Sequence, residues 1–186
     1  MQRPDMAEMP ETTPPTAPGF RPVALGLWVA AAIFVFDQAS KLWLIYGTDI
    51  RLTYPWPVLP WFDLTVVWNY GISYGLFQQH SDIGRWALTA FKLGAAIFLA
   101  FWLRKSTGRL EAAGIGMIIG GALGNALDRA LHGAVFDFAH FHIGDFSWYV
   151  FNIADAAIVA GVGLMLLSQF FTRPQPPGAA SAPEKP

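Results

Sequence analysis

Four long apolar stretches constrain the fold of this chain more than any other feature. They lie at residues 22–46, 85–104, 112–131 and 152–172, and each is close to the roughly 20 residues that an α-helix needs to cross a bilayer. Charged residues make up 13% of the sequence, whereas an ordinary soluble domain has about 25%. The sequence therefore predicts an all-α membrane protein, a bundle of four transmembrane helices.

The two ends of the chain lack this pattern. Residues 1–21 contain five prolines, and residues 173–186 are rich in Pro, Ala, Gly and Ser. Such segments bury too little apolar surface to offset the entropy lost on ordering. We therefore expect two disordered cytoplasmic tails around one four-span domain at 22–172. The first span is too long for the apolar core of a signal peptide and lacks an A-x-A cleavage pattern, so we expect it to be retained.

The distribution of basic residues predicts the orientation of the spans. Several of them fall in the tails and in the link between the second and third spans: Arg3, Arg21, Arg104, Lys105, Arg109, Arg173 and Lys185. The loop 132–151 contains no Lys or Arg. Because cytoplasmic loops carry the excess of basic residues, both termini should be cytoplasmic. The segment 47–84 and the loop 132–151 should then face outward.

The outer segment 47–84 has a pattern of its own. Between residues 62 and 68 every second residue is apolar, which is typical of a strand with one buried face. The sequence Asn69-Tyr70-Gly71 that follows is typical of a turn. We therefore expect a small β-rich segment at the outer membrane surface.

Composition also excludes some functions. The net charge is −1 and no Lys/Arg-rich stripe occurs, so we expect no nucleic-acid partner. The chain contains no cysteine. Disulfides, thiolate nucleophiles and cysteine-ligated metals are therefore excluded.

Ionisable side chains inside the predicted spans are candidate functional groups, because a charge there costs about 2.5–3.5 kcal/mol on insertion scales. Asp37 and Lys41 are four residues apart on one helix face and can form an ion pair, either structural or functional. Asn125, Asp128 and Arg129 form one polar face at the outer end of the third span. A structural interpretation is that Arg129 neutralises Asp128 and reaches to the interface.

Asp137 and Asp155 are the candidate catalytic pair. Asp137 lies among apolar residues of the outer loop, and an unpaired buried carboxylate is costly, so it should fold toward polar groups. Asn152 and Asp155 are the nearest, although they can also serve only as a helix cap. If the third and fourth spans are antiparallel neighbours, the two carboxylates can meet and share a proton. One would activate water while the other protonates a scissile carbonyl, as in an aspartic peptidase; Asp128 is the alternative member of the pair.

Several short motifs occur in one order along the four spans. They are Asp37-Gln38-Ala39-Ser40-Lys41, Asn69-Tyr70-Gly71, Gly120-Gly121-Ala122-Leu123-Gly124-Asn125 through Asp128-Arg129, Val135-Phe136-Asp137-Phe138 and Phe151-Asn152-Ile153-Ala154-Asp155. Together they resemble the lipoprotein signal peptidases (signal peptidase II) over about residues 22–172. One departure is that residues 72–74 are Ile, Ser and Tyr where the family often has Ala, Ala and Phe.

The resemblance implies an intramembrane aspartic endopeptidase of the bacterial inner membrane. Such an enzyme removes signal peptides from diacylglyceryl-modified prolipoproteins, cutting just before the lipidated cysteine, and needs neither metal nor cofactor. The resemblance makes Asp137 and Asp155 catalytic. It gives supporting or substrate-binding roles to Asp37, Lys41, Asn69, Gly71, Asn125, Asp128, Arg129 and Asn152. We expect a monomer whose partners are prolipoproteins and membrane lipids.

Two alternatives stay open on the residues alone. Intramembrane carboxylates also build proton or ion pathways in transporters, although the polar groups here collect on one side and Lys92 is isolated. A metal site is the other alternative, since Asp137, His140, His142 and Asp145 are closely spaced ligand types. His140 and His142 would share one face of a strand.

Overall fold

Four long helices account for most of the fold. The computed structural model describes residues 21–71 and 82–171. Its helices are α1 (Pro22–Tyr46), α2 (Ile50–Thr53), α3 (Asp82–Leu103), α4 (Arg109–His132) and α5 (Ile153–Phe171). All except the short α2 are long and apolar enough to cross a membrane, so the predicted four-helix bundle is confirmed. Helices α3 and α4 begin three residues before the predicted starts at 85 and 112, because each has additional residues, some of them polar, on the N-terminal side of its apolar stretch. Both predicted tails and residues 72–74 lie outside the described residues, except for Arg21.

Helix α4 lies at the centre of the bundle. In its apolar window 61% of the residues are buried, compared with 17% in α1, 17% in α3 and 22% in α5. Glycines bring the helices together: a Cβ added at Gly120 would lie 2.5 Å from the carbonyl oxygen of Ala30 in α1. One added at Gly121 would lie 2.5 Å from the carbonyl oxygen of Ala154 in α5. Small residues at these crossings allow the backbones to approach closely, so α4 packs tightly against both α1 and α5.

A four-stranded antiparallel sheet covers one end of the bundle. Its strands follow the order β1 (Trp56–Leu59), β2 (Phe62–Asn69), β3 (Val135–Ile143) and β4 (Phe146–Ser147). The strand expected at 62–68 is β2, so the predicted β-rich segment is confirmed. Its long partner β3 lies within the outer loop 132–151, where the sequence suggested a strand only around His140 and His142.

Apolar packing anchors this sheet to the end of α1. Phe136 and Phe138 of β3 form a buried cluster with Leu44 and Ile45 of α1 and with Ile50 of α2. Burying aromatic side chains of this size stabilises a structure by about 1.5–3 kcal/mol each. The cluster therefore fixes β3, which carries Asp137 between these two phenylalanines, above the membrane helices.

A left-handed glycine leads from α4 into β3. Gly133 has a φ of 79° and its N–H donates a hydrogen bond of 3.0 Å to the carbonyl oxygen of Arg129. Residues with a Cβ rarely adopt this backbone conformation, whereas glycine adopts it at little cost. The chain reverses here, and β3 starts at Val135. The turn thus brings β3 back over the end of α4.

Candidate active site

Asp137 lies at the start of β3 and is held by two amides. Asp137 is only 1% exposed to solvent. Asn152 donates from Nδ2 to Oδ1 of Asp137 at 2.6 Å, and Asn69 donates from Nδ2 to Oδ2 at 3.1 Å. Both carboxylate oxygens are therefore oriented by neutral donors, and none of the described cations forms an ion pair with Asp137.

This environment raises the pKa of Asp137 from its ordinary value to about 7. Burial is the main cause, because removal from water disfavours the charged carboxylate, and the negative charge of Asp155 adds to it. The hydrogen bonds from Asn69 and Asn152 oppose the shift and lower the pKa. Asp137 is therefore poised to hold a proton near neutral pH.

Asp155 lies in the first turn of α5. Its Oδ1 accepts a hydrogen bond of 2.8 Å from Nδ2 of Asn125, and its N–H donates to Oδ1 of Asn152 at 2.9 Å. The Asn152 side chain thus satisfies one of the free N–H groups at the start of α5, as an N-cap does. The helix-capping interpretation of Asn152 is confirmed, and it coexists with the contact to Asp137.

Two hydrogen-bonded amides connect the two aspartates. Nδ2 of Asn152 donates to Oδ1 of Asn125 at 3.0 Å, in addition to its bond to Asp137. The chain of contacts therefore runs from Asp137 through Asn152 and Asn125 to Asp155. Asn125 and Asn152 are both fully buried, and buried amides with satisfied partners fix side-chain orientation. The structure thus brings together the two aspartates that the sequence singled out.

A buried ion network lies beside this chain of amides. Nζ of Lys41 is 2.8 Å from Oδ2 of Asp37 and 2.7 Å from Oδ2 of Asp128, and it donates to Oδ1 of Asn125 at 3.4 Å. The expected Asp37–Lys41 pair is confirmed. The interpretation that Arg129 neutralises Asp128 is wrong, because Lys41 of another helix takes that place.

The same carboxylates also bind backbone groups of neighbouring elements. Oδ1 of Asp37 accepts the N–H of Ala154 at 2.9 Å, and Oδ2 of Asp128 accepts the N–H of Phe136 at 3.3 Å. The first bond ties α1 to the start of α5, and the second ties α4 to β3. Asp37 and Asp128 therefore position the two elements that carry Asp155 and Asp137.

Gln38 belongs to this network, a role that its sequence pattern alone did not predict. Its Nε2 donates to Oδ1 of Asp128 at 2.9 Å, to Oδ2 of Asp37 at 3.1 Å and to the carbonyl oxygen of Gly124 at 3.2 Å. The available signal was its place beside Asp37 in a polar stretch of an otherwise apolar helix. A neutral amide there adds donors to two carboxylates that share one lysine.

Arg129 holds the outer segment in place. It is 1% exposed, and its Nη2 donates to the carbonyl oxygens of Gly71 and, at 3.4 Å, of Asn69. The Asn69 side chain in turn reaches Asp137 and accepts the N–H of Gly71 at 3.0 Å. Nε and Nη1 of Arg129 are buried without a hydrogen-bond partner among residues 21–71 and 82–171. These two donors are available to a further acceptor.

A cavity of about 230 Å³ opens beside these residues. It is lined by Asn69, Gly71, Lys92, Asn125, Arg129, Val135, Tyr149, Asp155, Ile158 and Val159. Asp155 thus borders the cavity directly, whereas Asp137 is not among the lining residues and contacts one of them, Asn69. Lys92, which is isolated from other polar residues in the sequence, lies in the wall of this cavity. It was missed because a single lysine in an apolar span carries no pattern that reveals which helix face meets the site.

The histidines of β3 lie elsewhere. His140 and His142 face Asp63 of β2, and in the part of the chain that the structure describes these three residues form a group with metal-binding potential. Neither Asp137 nor Asp145 belongs to that group. The metal site suggested around Asp137 and Asp145 is therefore wrong in its composition.

The sequence is similar to those of known proteins. Residues 29–171 match the sequence profile of the family described as signal peptidase (SPase) II. A lipoprotein signal peptidase of Methylorubrum extorquens (strain PA1) is 55% identical over 152 residues, which cover 82% of this chain and 89% of that protein. A lipoprotein signal peptidase of Methylobacterium radiotolerans is 58% identical over 146 residues, covering 78% and 85%.

The fold is also similar to that of a solved protein. A bacterial membrane enzyme structure determined by the in meso method at 2.3 Å resolution superposes with a TM-score of 0.69 at 25% sequence identity. The match covers 78% of this chain and 87% of that one. With the family profile and relatives above 50% identity in agreement, the chain belongs to the signal peptidase II family of peptidases.

Proposed function

We propose that this protein is an intramembrane aspartic endopeptidase that removes signal peptides from diacylglyceryl-modified bacterial prolipoproteins, cutting just before the lipidated cysteine. Asp137 and Asp155 are its catalytic residues. One observation carries this assignment: the two aspartates, from a strand and a helix, are joined through the hydrogen-bonded amides of Asn152 and Asn125. Family membership supports the activity.

The different environments of the two aspartates suggest their roles. Asp137 is buried and its pKa is raised to about 7, so it enters the reaction protonated and acts as the general acid. Asp155 borders the cavity, where it can reach a water molecule, and acts as the general base. Carboxyl groups whose environments separate their proton affinities divide acid and base roles in this way.

The reaction then proceeds without a covalent enzyme intermediate. Asp155 takes a proton from water, the water oxygen bonds to the scissile carbonyl carbon, and Asp137 gives its proton to the carbonyl oxygen. In the second step the C–N bond breaks and the departing nitrogen receives the proton from Asp155. One hydroxyl proton of the intermediate returns to Asp137, which restores both groups.

The cavity suggests how the substrate is placed. The apolar side chains of Ile158 and Val159 line it together with Asp155, so the lipid-modified part of the substrate stays against an apolar wall. Nε and Nη1 of Arg129, which find no partner in the described part of the chain, hold a backbone carbonyl of the substrate. Asn69 both lines the cavity and binds Asp137, so a shift of Asn69 opens the way to the acid.

The membrane arrangement is part of the proposal. The domain at 22–172 lies in the bacterial inner membrane with both termini cytoplasmic, and the active site faces outward. The aromatic outer segment at 54–70 acts as a lid that excludes water from the carboxylates. The enzyme acts as a monomer in contact with membrane lipids.

Transport is less well supported than proteolysis. The buried ionisable residues of the described chain collect near the outer ends of the helices, whereas the other half of α4 buries Ala112, Ile115 and Ile119. A transporter needs polar groups along a path through the membrane, and tight apolar packing fills that path here.

A gel-shift assay with a diacylglyceryl-modified prolipoprotein in detergent tests the assignment. Asp137→Asn and Asp155→Asn should each abolish turnover, because asparagine keeps the shape but cannot exchange the proton. Asp145→Asn, in the exposed turn after β3, is the matched control and should cleave normally. Asp128→Asn should act through stability, with a lowered melting temperature. Near-normal turnover by a correctly inserted Asp137→Asn or Asp155→Asn variant would refute the pair.

A further inference from the structure

A second group of ligand-type side chains lies on the sheet, away from the catalytic pair. Asp63 of β2 is the direct cross-strand partner of His140 of β3. His142 is two residues further along β3 and therefore projects from the same face as His140. The candidate ligand atoms of these three residues all lie within 4.8 Å of one another. Directly opposite positions on antiparallel strands are where side chains meet most closely.

The orientation of the two imidazoles favours binding of an ion between them. Nε2 of His140 is 2.7 Å from Oγ of Ser147, which leaves Nδ1 facing Oδ2 of Asp63 at 3.9 Å. A hydrogen bond on the far ring nitrogen is the usual way in which a metal-binding histidine is oriented. Ser147 therefore presets the ring of His140 toward Asp63.

His142 supplies a second, independent observation. Its Nε2 lies 2.9 Å from Oδ2 of Asp63, yet the approach is too poorly aligned for a hydrogen bond. The nitrogen is shielded from solvent and has no hydrogen-bond partner within the described ranges 21–71 and 82–171. Unsatisfied buried polar atoms are rare in folded proteins, and a cation placed between the nitrogen and the carboxylate satisfies both.

We propose that Asp63, His140 and His142 form a binding site for a zinc-like divalent transition-metal ion. Zinc bonds of about 2.0–2.2 Å in a tetrahedral arrangement separate neighbouring ligand atoms by about 3.3–3.5 Å. The distances of 2.9 and 3.9 Å lie on either side of this value, so small side-chain rotations complete the geometry. Two imidazoles and one carboxylate select zinc over calcium or magnesium, which prefer oxygen ligands. The fourth position remains open to solvent, because all three residues are partly exposed.

The site would clamp the two strands that lead to the active site. Asp63 lies on the strand that ends at Asn69, and His140 lies three residues after Asp137, about 10 Å along β3. The metal takes no part in the proposed proteolysis. It fixes β2 against β3, and thus the two strands whose Asn69 and Asp137 side chains are hydrogen-bonded. The proposal is independent of the peptidase assignment, since it concerns other side chains.

Metal binding by the full-length protein, purified in detergent without a polyhistidine tag, tests the proposal. Equilibrium dialysis against Zn²⁺ should give one tightly bound ion per chain, and Co²⁺ should give the visible absorption of a tetrahedral site. His140→Gln, His142→Gln and Asp63→Asn should each weaken binding by at least about 10-fold, and Ser147→Ala by about 10-fold. His132→Gln, which alters a histidine packed on Trp68, is the matched control and should bind as the wild type.

Two results would overturn the proposal. One is the absence of stoichiometric zinc binding at metal concentrations up to the protein concentration. The other is unchanged binding in the double variant His140→Gln/His142→Gln. A rise in melting temperature with Zn²⁺ in the wild type, absent from the double variant, gives a readout that does not depend on peptidase activity.

Discussion

Asn152 donates a hydrogen bond of 2.6 Å from Nδ2 to Oδ1 of Asp137, which ties the start of α5 to strand β3. Through Oδ1 the same side chain accepts the N–H of Asp155 at 2.9 Å. One amide therefore contacts both residues of the proposed catalytic pair. Because Asn152 is fully buried, water cannot replace either hydrogen bond. Removing its side chain should therefore reduce catalysis strongly.

Asn152→Ala should lower kcat by about 10- to 100-fold, because removing the buried amide leaves the hydrogen-bonding groups of Asp137 and Asp155 unsatisfied, at a cost of about 1–3 kcal/mol. The KM should change little, because Asn152 does not line the cavity. The hydrogen bond from Asn152 lowers the pKa of Asp137, so its loss should raise that pKa. The alkaline limb of the pH–kcat profile should then move to higher pH. Gln169→Ala, an exposed amide at the other end of α5, is the control; an unchanged profile in Asn152→Ala would contradict the assignment.

Asp137→Asn should raise the melting temperature at pH 8 and have little effect near pH 4. The pKa of Asp137 is about 7 in the folded protein against 3.8 for an ordinary carboxyl, so the folded state binds its proton more tightly. The stability from this group is therefore complete below about pH 3.8 and is lost as the pH rises through about 7. Thermal unfolding of wild type, Asp137→Asn and Asp145→Asn across this range checks it. A difference between wild type and Asp137→Asn that does not grow with pH would refute the buried, proton-binding carboxyl.

Lys41→Met should destabilise the fold by about 3–5 kcal/mol, because it leaves two buried carboxylates without their cation. Both Asp37 and Asp128 lie within 2.8 Å of Lys41 Nζ. The triple variant Asp37→Asn/Lys41→Met/Asp128→Asn should recover part of the loss, since no charge remains unpaired. Lys105→Met, at an exposed position, is the control. Equal melting temperatures for Lys41→Met and Lys105→Met would show that the network contributes nothing to stability.

Gly124→Ala should reduce both stability and activity. The added Cβ would lie 2.5 Å from Oδ2 of Asp37, so the ion network must shift, at a cost of about 1–3 kcal/mol for overpacking. Gly94→Ala in α3 provides a matched comparison, because apart from its chain neighbours and its own helix backbone no described atom lies within 4 Å of its Cβ position. Gly94→Ala should leave stability unchanged or raise it by up to about 1 kcal/mol, because alanine has a higher helix propensity than glycine. Similar unfolding curves for the two variants would contradict the packing described for Gly124.

Arg129→Lys should lower kcat/KM by about 10- to 100-fold, even though the charge is kept, because a lysine cannot present a planar fork of donors. The guanidinium already binds the carbonyl oxygens of Gly71 and Asn69 with Nη2, and its Nε and Nη1 have no hydrogen-bond partner within the described ranges. Arg109→Lys, at the exposed other end of α4, should cleave normally. Steady-state kinetics of the two variants separate loss of geometry from loss of charge. Wild-type kcat/KM in Arg129→Lys would exclude a role for the fork.

The features that follow local rules were predictable from the sequence. The length and apolarity of each span mark the four helices, and alternation marks β2. The pair Asp37–Lys41 follows from helical spacing, because residues four apart share a face. The proximity of Asp137 and Asp155 was predictable because a loop between antiparallel helices returns to its own start.

Long-range pairing was not predictable in the same way. Strand β3 is specified by its partner β2, about 70 residues away in the sequence, so its own residues do not decide the register. Asp128 is adjacent to Arg129 in the sequence, yet its cation is Lys41 of another helix. Asp63 likewise meets His140 only through strand pairing. In each case tertiary geometry selects one partner among several that are chemically equivalent.

The bond between Oδ1 of Asp37 and the N–H of Ala154 joins the first membrane helix to the last across 117 residues. During synthesis Asp37 emerges long before Ala154 exists, so this contact can form only after the final helix has been inserted. The residue after Ala154 is Asp155. On the proposed assignment, the catalytic pair is therefore complete only after helix α5 has been synthesised, so cleavage cannot begin before that helix is in place.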